Sequence, residues 1–132
     1  MKLLADTSAL LALTLANDAH HAAARAFVRN HPRLRFVVSD LVLSELATRL
    51  RARAGASVAV RVVRDYFRSE RYSVVFTDAE IFAAALDRME THSDKRLSLT
   101  DCASFELMQR LGMEAAFTFD DDFRKCGFEA KP

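Results

Sequence analysis

Residues 2–8 have the sequence KLLADTS, in which a largely apolar run from Lys2 to Ala5 is followed directly by Asp6, Thr7 and Ser8. A short apolar run of this kind is typical of a strand that is buried on both faces of a parallel sheet. Asp, Thr and Ser are common where a helix begins. The stretch therefore predicts a strand whose carboxyl end leads into a helix, with a carboxylate at the junction.

Three further segments have the same character: Arg35 to Val38, Ser73 to Phe76 and Ala115 to Phe119. Helical patterns separate the predicted strands and cover residues 8–16, 18–30, 40–54, 57–70, 78–91 and 99–111, with a short helical turn at 121–125. Strands that alternate with helices predict β-α-β units. We therefore expect an α/β, Rossmann-like fold with a central parallel sheet of four or five strands and helices on both faces.

Local signals predict several helix ends. Thr77-Asp78-Ala79-Glu80 has the form of a capping box, in which the Thr77 and Glu80 side chains bond to each other's backbone, so a helix is expected to begin there. Gly55 and Gly112 lie where helices are expected to end in a left-handed residue.

Length and composition limit the possible classes. The chain has 132 residues, of which 51% are hydrophobic and 28% charged, which is typical of one globular domain and excludes a disordered chain. No apolar run approaches the roughly 20 residues that span a bilayer, and no signal peptide is recognisable, so a cytoplasmic protein without membrane contact is expected. Cys102 and Cys126 lack the spacing of a zinc site and are expected to be free thiols.

The small net charge of +1 conceals an uneven distribution along the chain. Residues 20–71 carry 11 arginines and 4 acidic residues, whereas residues 72–132 carry 7 basic and 12 acidic residues. A basic half beside an acidic half suits a protein that binds a polyanion next to a carboxylate-rich site. Chance alone also produces such a division.

Acidic residues follow two of the predicted strands. Asp6 follows the first strand, and Asp120, Asp121 and Asp122 follow the fourth. Ligands bind at the carboxyl ends of strands in open α/β sheets, and adjacent carboxylates repel one another unless water or a cation neutralises them. Two interpretations stay open: a cation site, or a helix cap at Asp6 and a solvated acidic loop.

Two other acidic residues lie within helical patterns. Asp101 is in the first turn of the last long helix, where a negative charge complements the helix dipole. Glu45 lies opposite the main apolar positions of its helix, so the pattern alone favours a solvent-facing side chain. Neither position by itself indicates a metal ligand.

Together these segments resemble a PIN domain. They are Asp6-Thr7-Ser8-Ala9-Leu10 after a strand, Ser44-Glu45-Leu46, Leu99-Thr100-Asp101 at a helix start, and Thr118-Phe119-Asp120 followed by Phe123 and Gly127. Their order and spacing are similar to those of VapC-type toxins, the ribonucleases of type II toxin–antitoxin pairs. The resemblance extends from Lys2 to about Phe128, and its specificity comes from the combination of four acidic positions.

The resemblance implies a single PIN domain over residues 1–132 that acts as an endoribonuclease dependent on Mg²⁺ or Mn²⁺. The implied catalytic and metal-binding residues are Asp6, Glu45, Asp101 and Asp120, and Asp122 could share the role of Asp120 as a metal ligand. Hard oxygen ligands suit these ions, and a bound ion would activate water and offset charge on the scissile phosphate. The implied partners are an RNA of the tRNA or rRNA class, a cognate antitoxin protein and a second copy of the chain in a homodimer.

Arginines at steps of three, four and three residues predict a basic helix face made of Arg61, Arg64, Arg68 and Arg71. Guanidinium groups bind phosphates through paired hydrogen bonds, so we expect the first three to bind RNA. The resemblance also implies that the Ser8 hydroxyl contacts the substrate. A solvated helix face is the alternative interpretation.

Two other sets of residues are less informative. The histidines show no metal-ligand spacing and are expected at the surface or at helix ends; they are His20, His21, His31 and His92. The leucines that crowd the first predicted helix are Leu10, Leu11, Leu13 and Leu15. They indicate either a helix buried on all sides or, as the resemblance suggests, a groove for an antitoxin peptide or a homodimer partner.

Three other functions stay open at the level of sequence. A phosphatase of the haloacid-dehalogenase type would use Asp6 as nucleophile but needs a second acid where this chain has Ser8. A phospho-acceptor signalling domain needs an Asp after the central strand, and Thr77-Asp78 fits a helix start better. A non-catalytic PIN-like module that binds RNA or a protein differs from the predicted nuclease only in lacking activity.

Overall fold

The computed structural model describes all 132 residues and shows a five-stranded parallel sheet with helices on both faces. The strands are β1 (Lys2–Ala5), β2 (Arg35–Ser39), β3 (Tyr72–Val75), β4 (Ala115–Phe117) and β5 (Glu129–Lys131). The helices are α1 (Thr7–Thr14), α2 (His21–Asn30), α3 (Asp40–Ala54), α4 (Ala56–Arg68), α5 (Ala79–Thr91), α6 (Leu99–Arg110) and α7 (Asp122–Lys125), with one 3-10 turn at Ser93–Lys95. The strand order is β3-β2-β1-β4-β5. The predicted fold class is confirmed.

Alternate residues of the strands enter two separate cores. Leu3 and Ala5 of β1 pack with Phe36 of β2 on the face that α1 to α4 cover. Leu4 and Val37 point to the opposite face, where α5, α6 and α7 pack. This alternation makes the central strands β1, β2 and β4 largely apolar, because their side chains are buried on both faces of the sheet.

The predicted boundaries of β1 and α3 agree with the structure, and most others differ by one to three residues. The four predicted segments did not include β5, whose three residues gain their extended conformation from pairing with β4. Strand β4 ends at Phe117 rather than Phe119. Thr118 N still donates to Lys131 O, but the two amides after it bond to side chains: Phe119 N donates to Ser8 Oγ and Asp120 N donates to Thr118 Oγ1.

The prediction of a capping box at Thr77 to Glu80 is wrong. Asp78 is the N-cap of α5, and its carboxylate accepts a hydrogen bond from Ile81 N at 2.8 Å. The Thr77 hydroxyl donates instead to Asp40 Oδ1, at 2.7 Å, in the first turn of α3. A tertiary contact therefore takes the group that the local pattern assigns to the cap.

The predictions for two glycine positions are confirmed. Gly55, with φ of +90°, joins α3 to α4, and Gly112, with φ of +64°, follows α6; a side chain would strain both positions. Cys102 and Cys126 are free thiols. No helix has both the length and the apolar composition needed to cross a bilayer.

The four leucines of α1 and its C-cap contact the core to different extents. Leu10 and Leu11 are buried, and Leu13 and Leu15 pack against the same core from its edge. Leu10 and Leu11 therefore fit a buried helix, whereas the groove for an antitoxin or a second copy stays a prediction, because Leu13 and Leu15 are only half-buried and Leu13 lines an open depression beside α4.

Candidate metal centre

Three aspartates from two elements meet at the carboxyl edge of the sheet. One carboxylate oxygen each from Asp101, Asp120 and Asp122 lies within 4.8 Å of the other two. Asp101 is in the first turn of α6, whereas Asp120 and Asp122 follow β4. We call these three residues the aspartate cluster. The sequence predicted Asp101 and Asp120 as members and Asp122 as an alternative.

A capping box fixes Asp101. Ser98 Oγ accepts a hydrogen bond from Asp101 N at 3.0 Å, and Asp101 Oδ2 accepts one from Ser98 N at 3.2 Å. The helix itself is tied to α5 by Arg88, whose Nε donates to Glu106 Oε1 at 2.9 Å. The pattern Ser98-x-x-Asp101 is a recognisable signal that the sequence interpretation did not use.

The loop after β4 is anchored on the other side of the cluster. Asp122 N donates to Asp120 Oδ1 at 2.9 Å, which turns the chain so that both carboxylates approach α6. Phe123 follows at once and is fully buried, with its ring 4.9 Å from that of Phe105 in α6. The apolar contact therefore holds the acidic loop against the helix that carries Asp101.

Asp6 lies beside the cluster and is supported differently. It is only 4% exposed, and its Oδ2 accepts hydrogen bonds from Ser8 Oγ at 2.9 Å and Thr118 Oγ1 at 3.0 Å. The same two hydroxyl oxygens also accept hydrogen bonds from backbone amides: Ser8 Oγ from Phe119 N, and Thr118 Oγ1 from Asp120 N. Ser8 and Thr118 thus connect Asp6 to the backbone that bears Asp120. The sequence pattern alone assigns no role to Thr118.

The acidic groups raise one another's proton affinity. Burial, together with the charges of Asp6 and Asp120, raises the pKa of Asp101 to about 6. Burial is also the main cause that raises the pKa of Asp6, with a contribution from Asp120 and an opposing one from its hydroxyl donors. Partial burial and the neighbouring Asp120 raise the pKa of Asp122. The folded protein therefore gathers carboxylates that would gain from a nearby cation.

The donor set fits a hard divalent cation. All its ligand atoms are carboxylate oxygens, which Mg²⁺ and Mn²⁺ prefer, and no thiolate or imidazole belongs to the cluster. The Lys125 ammonium lies 4.0 Å from Asp122, where it offsets only part of the negative charge. The residues present therefore suit a divalent ion.

Glu45 and Asp6 are not members of the group of oxygens within 4.8 Å. Asp6 remains within electrostatic range, because it contributes to the raised pKa of Asp101. Glu45 forms an ion pair with Arg49 at 3.4 Å, one turn further along α3, and its side chain is 29% exposed. Its role as a ligand stays a prediction. The structure instead provides Asp122 as the third member of the cluster.

The predicted arginine face is present in part. Arg61, Arg64 and Arg68 are exposed on α4 and line an open depression of about 480 Å³ together with Val60. Arg71 lies beyond the end of α4, and the prediction that it shares this face is wrong. Its guanidinium donates hydrogen bonds to backbone carbonyls, including Leu34 O at 3.1 Å, and so connects the start of β3 to the end of α2 and to the segment between α2 and β2.

The family model of the PIN domain matches residues 3–129. The chain belongs to the PIN-domain family. Among curated PIN-domain relatives, the 23S rRNA-specific endonuclease VapC20 of Mycobacterium tuberculosis is 33% identical over 130 residues, which is 96% of each chain. This similarity confirms the predicted resemblance to VapC-type toxins and, with it, the prediction of a nuclease.

Solved structures of PIN-domain toxins agree with the fold. The crystal structure of M. tuberculosis VapC20, described as a toxin that cleaves the sarcin-ricin loop, superposes with a TM-score of 0.88 at 30% identity and covers 96% of this chain and 95% of that one. The VapBC2 structure from Rickettsia felis, bound to a promoter DNA fragment, has a TM-score of 0.71 at 10% identity, with 99% and 98% coverage. The second likeness concerns the fold alone.

Proposed function

We propose that this protein is a metal-dependent endoribonuclease toxin that cleaves structured ribosomal RNA. The observation that carries the proposal is the aspartate cluster, in which three carboxylate oxygens lie within 4.8 Å of one another. Such a group is costly for the folded protein unless a cation neutralises it. Its position at the carboxyl ends of β1 and β4 is where ligands bind in sheets of this kind.

Asp101, Asp120 and Asp122 would hold the divalent ion, which we propose to be Mg²⁺ or Mn²⁺. When bound, the ion supplies a water of lowered pKa and charge compensation for the scissile phosphate. Asp6 would add its negative charge to the site from a buried position. The Ser8 and Thr118 hydroxyls fix the orientation of the Asp6 carboxylate, because both donate hydrogen bonds to it. We propose that Ser8 acts through Asp6 in this way, since its hydroxyl already donates to that carboxylate.

The proposed substrate class follows from the relative and from the basic face of α4. VapC20 is named for its action on 23S rRNA, and this chain is similar to it over nearly its whole length. Arg61, Arg64 and Arg68 present three exposed guanidinium groups on one helix face, an arrangement that suits the phosphates of a folded RNA. A tRNA has the same backbone chemistry and belongs in the assay as the competing substrate.

We further propose that residues 1–132 work as one PIN domain in the cytoplasm, as a homodimer controlled by a cognate antitoxin. Support comes from the likeness to VapC20, which is described as a toxin. An antitoxin is the expected counterpart of such a protein.

A cleavage assay with matched aspartate variants tests the proposal. Wild-type protein is incubated with a ribosomal RNA stem-loop in Mg²⁺, in Mn²⁺ or in EDTA, and the products are resolved on a gel. Cleavage is expected with either metal and not in EDTA. Asp101→Asn should reduce the rate by at least ~100-fold, because a charge that helps to hold the ion is lost.

Asp121→Asn is the matched control. Asp121 is exposed, pairs with Arg124 at 3.5 Å and lies outside the cluster, so its variant should cleave at the wild-type rate. Equal loss in both variants would show that the acidic loop acts without a defined site. RNA binding without cleavage in either metal would identify the protein as a non-catalytic module.

A further inference from the structure

An aromatic stack lies at the rim of the candidate metal centre. The His20 imidazole lies on the Phe119 ring with 4.4 Å between centroids and 7° between planes. Phe119 is half-buried and packs on the core, with its ring 6.2 Å from that of Phe117. His20 is exposed. Phe119 covers one face of the imidazole, which leaves the opposite face as the one that a ligand could cover.

The stack is connected to the acidic residues through the chain and through hydrogen bonds. Phe119 directly precedes Asp120 of the aspartate cluster. Its amide donates to Ser8 Oγ at 3.0 Å, and the same hydroxyl donates to Asp6. The ring of Phe119 is therefore held in a fixed relation to the acidic groups.

The backbone on either side of His20 is also fixed. His20 N donates to Asp18 Oδ1 at 2.8 Å, and His20 O accepts from Ala24 N at 2.9 Å in the first turn of α2. The imidazole thus starts from an anchored backbone position, and little conformational entropy is lost if a ligand covers its open face.

We propose that the His20–Phe119 stack is a platform for a nucleobase of the RNA substrate next to the scissile phosphate. The inference rests on the proposed function. Sequence-tolerant binding of unpaired bases uses planar side chains that offer one free π face, and loop RNA provides such bases. The arginine face of α4 would bind phosphates, whereas this stack would position the base beside the cluster.

The two roles that His20 can have make different demands on the side chain. As a platform it must be planar, because a nucleobase gains most from a flat partner. As a cover for Phe119 it needs only apolar atoms above the ring. His20→Phe keeps both properties, His20→Leu keeps the cover but not the plane, and His20→Ala keeps neither.

Binding is measured with an RNA loop that carries 2-aminopurine, whose fluorescence is quenched when the base stacks. Ca²⁺ replaces the catalytic metal, so that the measurement does not depend on cleavage. Wild type and His20→Phe are expected to quench the probe. His20→Ala and His20→Leu should quench it little and bind the RNA about 5- to 100-fold more weakly, the usual range for loss of one stacking partner.

His31→Ala is the matched control. His31 is also exposed, and its ring centroid lies 4.7 Å from that of Phe27, but it is at the opposite end of α2. This variant should bind and quench like wild type. The melting temperature of each variant, measured by circular dichroism, shows how much stability is lost when the His20 side chain no longer covers Phe119. This separates an effect on folding from an effect on RNA binding.

Two results would overturn the inference: unchanged quenching in His20→Ala, or full quenching in His20→Leu, which would make the side chain a cover only. A wild-type protein that quenches the probe but never cleaves would overturn the proposed nuclease and leave the platform standing. A wild-type protein that cleaves RNA without quenching the probe would overturn the platform and leave the proposed nuclease standing.

Discussion

The aspartate cluster and the arginine face of α4 carry opposite charge and are built in opposite ways. The cluster joins Asp101 to two residues that lie 19 and 21 positions further along the chain, and its members are half-buried and fixed by hydrogen bonds and by the Phe105–Phe123 contact. The arginines lie exposed on one helix and need only helical periodicity to share a face. One region is defined by tertiary structure, the other by local sequence.

This difference corresponds to two kinds of task. Holding an ion and orienting a reaction require ligand atoms placed to within fractions of an ångström, which exposed flexible side chains do not provide. Attracting a polyanion requires charge density and tolerates side-chain motion. The contrast therefore predicts that changes in the cluster act on metal binding and stability, and that changes in the arginine face act on RNA affinity and its salt dependence.

Metal binding should give the largest effect. Because the cluster binds the ion only when folded, an ion concentration one hundred times its Kd stabilises the fold by about 2.7 kcal/mol. The melting temperature is therefore expected to rise by several degrees when EDTA is replaced by millimolar Mg²⁺ or Mn²⁺. Differential scanning fluorimetry over a range of metal concentrations measures this shift.

Asp120→Asn sharpens the same comparison. It should lose most of the metal-induced shift, whereas Asp121→Asn, outside the cluster, should keep it. A triple variant of the arginines should also keep it. If the metal raised the melting temperature of Asp120→Asn as much as that of wild type, the ion would be bound elsewhere.

The arginine face should give the next largest effect. Replacing Arg61, Arg64 and Arg68 with Gln removes three phosphate contacts, so the slope of log affinity against log salt should become less steep by about 2 for single-stranded RNA. Filter binding at several salt concentrations measures the slope. Metal-induced stabilisation should stay as in wild type.

A second triple variant separates position from charge. Arg29, Arg33 and Arg35 are exposed near the start of β2, at the opposite edge of the sheet from the cluster. Replacing them with Gln removes the same charge from another surface and should change the slope much less. Equal slopes for both triple variants would mean that RNA responds to net charge and not to the face of α4.

The contrast also explains which features were predictable from the sequence. Period-2 and period-3.6 patterns are local, so the strands, most helices and the positions of Arg61, Arg64 and Arg68 follow from them. Arg71 continues the same numerical spacing, but α4 ends at Arg68, and its guanidinium bonds to the carbonyls of a distant segment. Spacing predicts a shared face only as far as the helix extends.

The composition of the cluster was predictable only in part for a similar reason. Asp101 and Asp120 could be assigned through the resemblance, but the membership of Asp122 beside Asp120 depends on the turn that Phe123 anchors in the core. The hydrogen bond from the Thr118 hydroxyl to Asp6 depends on the approach of β4 to β1, which no local pattern encodes. His20 offered no signal, because its partner Phe119 lies 99 positions further along the chain.

The smallest expected effect is the pH dependence of the metal-free protein. The pKa of Asp101 is about 6 in the folded protein against an ordinary value of 3.8. Below pH 3.8 the group is protonated in both the folded and unfolded states and contributes nothing to the difference. Between about pH 4 and pH 6 the folded state binds more protons, so stability falls as pH rises, and the full loss is present above pH 6.

Asp101→Asn isolates this contribution, because the amide keeps the shape of the side chain and cannot ionise. In EDTA its free energy of unfolding relative to wild type should increase from about pH 4 to pH 6 and then level off. The gain should be about 1 kcal/mol, which allows for solvent screening of a half-buried group. Urea denaturation at several pH values measures it, with Asp121→Asn as control. A difference that stays constant with pH would mean that Asp101 ionises normally and that the repulsion within the cluster is relieved without a metal ion.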